Sequence, residues 1–129
     1  LATVRDRNSN VTTYGYNASG QLVQIVDPVG LITQFNYTGS LVTSIVHPGP
    51  GTRTTLLEYS ATTNNLIKLT HPDAAVYQYE YSDSRMTASI DAKGNRLEIT
   101  YGRPNFNFGR VTQTVRKDST GVVIQTNQI

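Results

Sequence analysis

The chain has 129 residues, a length that fits one domain or a segment of a larger protein. It contains no cysteine, which excludes disulfides, thiolate metal ligands and a cysteine nucleophile. The formal charge of +2 is too small to indicate nucleic acid or a membrane surface as a partner. No apolar run approaches the roughly 18 residues of a membrane span. Because the first residue is Leu1, we expect a fragment or a processed product.

A tyrosine recurs along the chain with a spacing of 20 to 22 residues. Each copy has an apolar or aromatic residue two positions earlier, which is typical of a strand with one wet and one dry face. A fixed period of about 20 to 50 residues indicates a repeat architecture. We therefore predict five structural repeat tyrosines: Tyr16, Tyr37, Tyr59, Tyr81 and Tyr101.

A turn residue and a second apolar stretch follow each of these tyrosines. We interpret the apolar stretches as return strands: Leu22–Val26, Leu41–Val46, Leu66–Thr70, Met86–Ile90 and Val111–Val115. A second turn comes next, most clearly at Asp27-Pro28-Val29-Gly30, where proline presets φ for a type I turn and glycine suits the fourth position. Each unit is therefore predicted to be a hairpin of two short strands.

The predicted organisation is a single array over residues 1–129. Its repeats cover approximately 4–26, 27–46, 47–70, 71–90 and 91–116, and a partial repeat follows over 117–129. We expect an all-β fold in which consecutive antiparallel hairpins form a twisted ribbon or solenoid. No segment predicts a helix, and we expect the tyrosine rows of successive units to pair.

The succession of apolar-x-Tyr, a turn, Leu-x-x-Ile and Asp-Pro-x-Gly resembles the RHS repeat, also called the YD repeat. The best copy runs from Tyr14 to Gly30, and Phe35-Asn36-Tyr37 follows it. The family's Asp after Tyr is absent, since Asn17, Thr38, Ser60, Ser82 or Gly102 stands there.

The resemblance implies a segment of the β-shell found in toxin complexes and teneurin-like proteins. By this resemblance we expect the segment to be extracellular or on the cell surface, to be a scaffold and not an enzyme, and to face an encapsulated cargo or a glycan. Two alternatives stay open. One is a self-assembling subunit of an extracellular β-rich filament, joined to copies of itself through exposed strand edges. The other is a carbohydrate-binding module that uses the tyrosines.

A few residues are candidate sites outside the repeat pattern. Phe106 and Phe108, in the long loop after Tyr101, are a candidate partner-contact loop. Three asparagines begin sequons that accept glycans only in a secretory setting: Asn10, Asn17 and Asn36.

The two histidines, His47 and His71, each precede a proline at a turn. We interpret them as turn residues, because a metal site normally needs three or four ligands. The nine acidic residues fall mostly in turns or on the polar side of the strands, which favours solvated surface positions. We expect no catalytic residue, no metal and no cofactor.

Overall fold

The computed structural model describes residues 1–51, 53–102 and 110–129. These residues form twelve β-strands, and no helix is found among them. The strands are β1 Ala2–Arg5, β2 Val11–Tyr16, β3 Leu22–Val26, β4 Ile32–Thr38, β5 Leu41–His47, β6 Arg53–Tyr59, β7 Leu66–Thr70, β8 Val76–Ser82, β9 Arg85–Ile90, β10 Arg96–Tyr101, β11 Val111–Lys117 and β12 Val123–Gln128. Within the described ranges, no helix is long and apolar enough to cross a membrane.

The strands form one antiparallel sheet, and their order in the sheet is their order in the chain. The prediction of an all-β fold built from consecutive hairpins is confirmed. Two return strands, β3 and β7, have the predicted bounds. The other three, β5, β9 and β11, contain the predicted ranges and are one or two residues longer.

The chain divides into two compact units. The first comprises Leu1–Leu57 and Thr70–Ala74 and contains β1 to β5 with most of β6. The second comprises Glu58–Leu69 and Ala75–Ile129 and contains β8 to β12 with most of β7. The boundaries of the five repeats stay a prediction.

The turn before a tyrosine strand has a recurring geometry. At Asp27, the carbonyl accepts the N–H of Gly30 at 3.0 Å, as in the predicted type I turn. The Asp27 Oδ1 also accepts the backbone N–H groups of Val29 and Leu31, at 3.0 and 2.8 Å. Gly30 has a φ of 88°, a conformation that glycine adopts without steric cost. The same turn occurs at Asp6 and Asp91 before tyrosine strands, and at Asp118 before β12, which contains no tyrosine.

A β-bulge accompanies the repeat tyrosine in four hairpins. In the first, Tyr16 lies opposite Leu22, while the preceding residue lies opposite Gln24. Val23 is therefore an extra residue on the return strand. The equivalent extra residues are Thr43, Thr87 and Thr112. Because a bulge bends its strand and increases the local twist, every one of these hairpins is twisted at the same position.

The predicted pairing of tyrosine rows is wrong, because a return strand separates them. Tyr14 on β2 lies opposite Ala2 and Ile25, and Tyr79 on β8 lies opposite Ser89. Each tyrosine strand thus pairs with return strands on both sides. Repeat tyrosines that follow one another in sequence, such as Tyr16 on β2 and Tyr37 on β4, therefore lie two strands apart.

Few side chains are fully removed from solvent. Within the described part of the chain, only Ala88 and Thr55 are buried, at 0 % and 7 % exposure. Most other strand residues of the central hairpins are half-buried. A folded domain usually buries one face of a sheet against a second layer. Here most strand side chains keep some contact with water.

Candidate functional site

Strand β12 is an open edge of the sheet, and β11 is its neighbour on the other side. The N–H of Ile129 donates to the carbonyl of Thr112 at 3.0 Å. Backbone groups alternate in direction along an antiparallel strand, so those of Thr126 and Gln128 point away from β11. The strand contains neither a charged residue nor a proline, two features that protect natural edges.

Strand β1 is the open edge at the other end of the strand order. The N–H of Asp6 donates to the carbonyl of Asn10 at 3.0 Å, which closes the β1–β2 hairpin. By the same alternation, the backbone groups of Thr3 and Arg5 point away from β2. Every residue of β1 and of β12 is exposed.

Exposed apolar side chains accompany the unpaired backbone at both edges. Leu1 is 97 % exposed and Val4 is 58 % exposed. At the other edge, Ile124 is 64 % exposed and Ile129 is 65 % exposed. An edge with unpaired backbone and apolar side chains is a template for another strand. These two edges are the surfaces of the described chain best suited to bind a chain segment.

Four charged side chains form a cluster across strands β8 to β11 of the second unit. Arg96 donates from Nη1 and Nη2 to the two carboxylate oxygens of Glu80, at 2.6 and 2.7 Å. Its Nε donates to Glu98 Oε1 at 3.0 Å, and Lys117 Nζ donates to the same oxygen at 2.8 Å. Bidentate pairing of arginine with a carboxylate fixes geometry as well as adding energy. We call Glu80, Arg96, Glu98 and Lys117 the charged cluster.

The buried Ala88 explains how Arg96 reaches across strand β9. Ala88 lies opposite Glu80 on one side and opposite Glu98 on the other. Its small methyl group leaves space between the two carboxylates for the guanidinium. A larger side chain at this position would fill that space.

The charged cluster shifts the pKa values of Glu80, Glu98 and Arg96. The hydrogen bond from Arg96 lowers the pKa of Glu80, and hydrogen bonds from Lys117 and Arg96 lower the pKa of Glu98. The hydrogen bond to Glu80 in turn raises the pKa of Arg96. The side chains of Arg96 and Glu80 are 31 % and 51 % exposed, so solvent screens part of this interaction. The hydrogen bonds of the charged cluster join strands β8, β10 and β11.

Two of the repeat tyrosines link their strand to the preceding hairpin. Tyr37 Oη donates to the carbonyl of Leu22 at 2.8 Å, and Tyr101 Oη donates to the carbonyl of Met86 at 2.8 Å. In both cases the acceptor residue lies opposite the preceding repeat tyrosine, beside the bulge. A hydroxyl group therefore caps the irregular part of one hairpin from the next. These two repeat tyrosines therefore have a structural role, because each joins two successive hairpins.

The two histidines lie at different turns of the first unit. His47 Nε2 is 2.8 Å from the hydroxyl of the buried Thr55. His71 begins a turn in which the N–H of Ala74 donates to the His71 carbonyl at 3.0 Å. Among the residues that the structure describes, no group of three or more histidine, aspartate or glutamate side chains could hold a metal ion.

The three sequon asparagines, Asn10, Asn17 and Asn36, are all exposed. Each Nδ2 donates one hydrogen bond, at 2.8, 2.7 and 2.8 Å respectively. Their glycosylation stays a prediction.

The predicted partner-contact residues Phe106 and Phe108 lie outside the described residues. The residues that flank this loop are joined, since the N–H of Gly102 donates to the carbonyl of Arg110 at 3.0 Å. The partner-contact role of the loop stays a prediction.

A polar groove in the second unit brings two tyrosines together with hydroxyl and amide groups. Tyr79, Tyr81, Thr62, Asn65 and Asp83 are among the residues that line it. Aromatic faces beside hydrogen-bonding groups are chemistry that suits a sugar ring. Burial raises the pKa of Tyr81 above its ordinary value.

Comparison with known protein families gives a match to a repeat family. A family model described as RHS Repeat matches residues 1–33, which contain β1, β2, β3 and the first residues of β4. No curated protein matches the chain. The matched range includes two of the Asp turns and the first repeat tyrosine.

Proposed function

The chain carries an RHS repeat, and from this premise we propose that it is a structural module of an extracellular or cell-surface assembly and not an enzyme. In this role, the hairpins are a segment of an RHS-type shell wall. Neighbouring hairpins continue the sheet at both edges, and a cargo lies on one side of the wall. Fold-level analogy alone does not establish such a role, so the support has to come from the residues.

The observation that carries the proposal is the contrast between paired interior strands and open edges. Every residue of β1 and β12 is exposed, and each of these strands has a hydrogen-bonded neighbour on one side. Repeat arrays gain stability from contact between adjacent units and need capped ends to stay soluble. Open apolar edges therefore favour the interpretation that neighbouring hairpins pair with β1 and β12.

The polar side chains also support a scaffold. The carboxylates of Asp6, Asp27, Asp91 and Asp118 accept backbone N–H groups in turns. Glu80 and Glu98 are occupied in the charged cluster. Each of these acids has a structural partner that accounts for its position.

The first alternative is a subunit of an extracellular filament. The presence of an open edge at each end of the strand order favours it, because contacts that do not close produce open assemblies. Electron microscopy of the purified chain tests it directly. Long fibres would support the filament, and discrete particles would exclude it.

The second alternative is a carbohydrate-binding module, which the groove beside Tyr79 and Tyr81 favours. Titration with a panel of glycans, followed by tyrosine fluorescence, tests this role. A saturable response that Tyr81→Ala abolishes and Tyr16→Ala retains would support it. The absence of a saturable response would exclude it.

Hydrogen exchange tests the scaffold role. In a dilute solution of the purified chain, we expect the outward-facing amides of Thr3, Arg5, Thr126 and Gln128 to exchange rapidly. In the assembly recovered from its natural source, the same amides should be protected because neighbouring strands cover them. Rapid exchange of all four amides in the native assembly would contradict the proposal.

Protease treatment of intact source cells tests the location. Cleavage of the chain without cell lysis would support an extracellular or surface position. Protection until lysis would contradict it, and a cytoplasmic marker protein provides the control.

A further inference from the structure

A cavity on strands β9 to β12 of the second unit combines a cation, a hydroxyl group and aliphatic side chains. Its volume is about 320 Å³, at the lower end of the roughly 300 to 1,000 Å³ of small-molecule sites. Its lining includes Ser89, Leu97, Arg116 and Ile124. We propose that this cavity binds a small organic acid: Arg116 and Ser89 hold its carboxylate, and the two aliphatic side chains contact its apolar body. The proposal goes beyond the scaffold role and does not depend on it.

The strand register places three of these side chains in one row across the sheet. Leu97 on β10 lies opposite Ser89 on β9 and opposite Arg116 on β11. Residues that lie directly opposite each other on antiparallel strands project from the same face. The hydroxyl group and the guanidinium therefore lie on the two sides of an aliphatic side chain.

The two polar members of this row have hydrogen-bonding groups to offer a ligand. Among the residues that the structure describes, none forms an ion pair or a side-chain hydrogen bond with Arg116 or Ser89. Arg116 is exposed, and every buried polar side-chain atom of the described chain has a partner, so the Ser89 hydroxyl is open to solvent. The guanidinium offers five donors in a planar fork that matches a carboxylate.

The opposite face of the same strands shows an arginine together with its carboxylate. Arg96 crosses strand β9 and bonds to the carboxylate of Glu80, two strands away. Arg116 and Ser89 are likewise two strands apart, but serine supplies no carboxylate. A carboxylate from a ligand, bound above Leu97, would give Arg116 the partner that Glu80 gives Arg96.

The other charged residues at the cavity have partners within the chain. Arg96 and Lys117 are each next in sequence to a member of the row, so their side chains point to the opposite face and bond to the glutamates of the charged cluster. The carboxylate of Asp91 accepts three N–H groups of its own turn, at 2.8 to 2.9 Å. Of the charged groups in the described lining, Arg116 is therefore the one available to a ligand, which should be an anion.

The aliphatic side chains determine what kind of anion fits. Ile124 is 64 % exposed and Leu97 is half-buried, so both have apolar surface that a ligand can cover. Inorganic phosphate would bond to the guanidinium but would leave this apolar surface in water. A carboxylic acid with a short hydrocarbon chain satisfies both parts of the cavity.

Titration of the full chain with hexanoate, followed by the NMR signals of the Leu97 and Arg116 amides, tests the site. We expect saturable shifts of both signals. Hexanamide keeps the hydrocarbon chain without the charge, and acetate keeps the charge without most of the chain. Each of them, and inorganic phosphate, should bind at least about tenfold more weakly than hexanoate.

Substitutions assign the binding to the row. Arg116→Met should weaken hexanoate binding at least about tenfold, because it removes a charge-assisted hydrogen bond. Ser89→Ala removes a neutral donor, and we expect a loss of about threefold. Arg7→Met is the matched control, since Arg7 is exposed and belongs to the first unit. Its replacement should change hexanoate binding by less than about twofold.

Each contrary result would overturn the inference. These results are no saturable shift with hexanoate, equal binding of hexanamide or phosphate, and equal binding by the wild type and Arg116→Met. If Arg116→Met does not fold, the wild type decides: hexanoate must shift the Nε–H signal of Arg116, and hexanamide must leave it in place. The scaffold role is tested separately by hydrogen exchange of the edge amides in the native assembly, so either proposal can fail while the other stands.

Discussion

Strands β8 to β11 and the edge strands belong to one antiparallel sheet, but their surroundings differ. The central strands are paired on both sides, and the charged cluster crosses three of them. Strands β1 and β12 are paired on one side and fully exposed. The comparison teaches that stability in this protein comes from neighbours on both sides of a strand and not from a deep core. The edge strands are therefore the part of the molecule whose stability would increase most if another strand paired with them.

Replacement of Arg96, which bonds to both glutamates of the charged cluster, should destabilise strands β8 to β11 most. Arg96→Met deletes three hydrogen bonds to Glu80 and Glu98 while keeping the aliphatic stem. Because the pairs are partly exposed, we expect a loss of about 1 to 2 kcal/mol in the free energy of unfolding. Urea unfolding at pH 7 measures it.

Arg116→Met is the matched control for this prediction. Arg116 is exposed on β11, and we expect its replacement to change stability by less than about 0.5 kcal/mol. Equal losses of unfolding free energy in the two variants would show that the cluster does not stabilise strands β8 to β11.

Low pH should destabilise strands β8 to β11 through the same charged cluster. The pKa values of Glu80 and Glu98 are lowered in the folded chain, so their contribution is present above the ordinary pKa of about 4.3. It is lost as the pH falls below that value and through the lowered pKa values. We expect the urea midpoint to fall from pH 6 to pH 3 more steeply in the wild type than in Arg96→Met. Parallel pH profiles would contradict the assignment.

The tyrosine hydroxyls should contribute less than the cluster. Tyr101→Phe removes the hydrogen bond to the Met86 carbonyl, and we expect a loss of about 1 kcal/mol. Tyr16, whose side chain is 49 % exposed, provides the control, since Tyr16→Phe should be nearly neutral. Urea unfolding of both variants gives the comparison, and a neutral Tyr101→Phe would remove the role assigned to this hydroxyl.

The smallest effect concerns the β1–β2 edge hairpin. Ser9 has a φ of 66° at a turn position where Asp27, Asp91 and Asp118 turns have glycine. Ser9→Gly should relieve this strain and stabilise the edge hairpin by about 0.5 to 1 kcal/mol. Slower hydrogen exchange of the Val4 amide would report it. Ser119→Gly, at a turn position without positive φ, should give no gain.

The hairpins could be predicted from the sequence because their signals are local. The apolar run at Leu22–Val26 and the turn at Asp27-Pro28 specify a strand and its end without information from elsewhere. The RHS resemblance, confirmed by the match at residues 1–33, follows from the same local signals.

The cross-strand features could not be predicted in this way. Arg96 and Glu98 are close in sequence, but Glu80 is 16 residues away from Arg96 and reaches it across β9. That contact depends on the register of three strands and on the small size of Ala88. The hydroxyl bonds of Tyr37 and Tyr101 could not be predicted either, because each acceptor carbonyl lies beside a bulge of the preceding hairpin.

The central claim is that the open edges bind other strands, and sedimentation velocity of Thr126→Pro tests it most directly. The N–H of Thr126 points away from β11, so proline removes an outward donor without removing a bond inside the sheet. We predict that the wild type and the control Thr126→Val associate as concentration rises, whereas Thr126→Pro stays monomeric with unchanged circular dichroism. Association of Thr126→Pro as strong as that of the wild type would contradict the account, and a wild type that remains monomeric throughout would exclude pairing between copies of the chain.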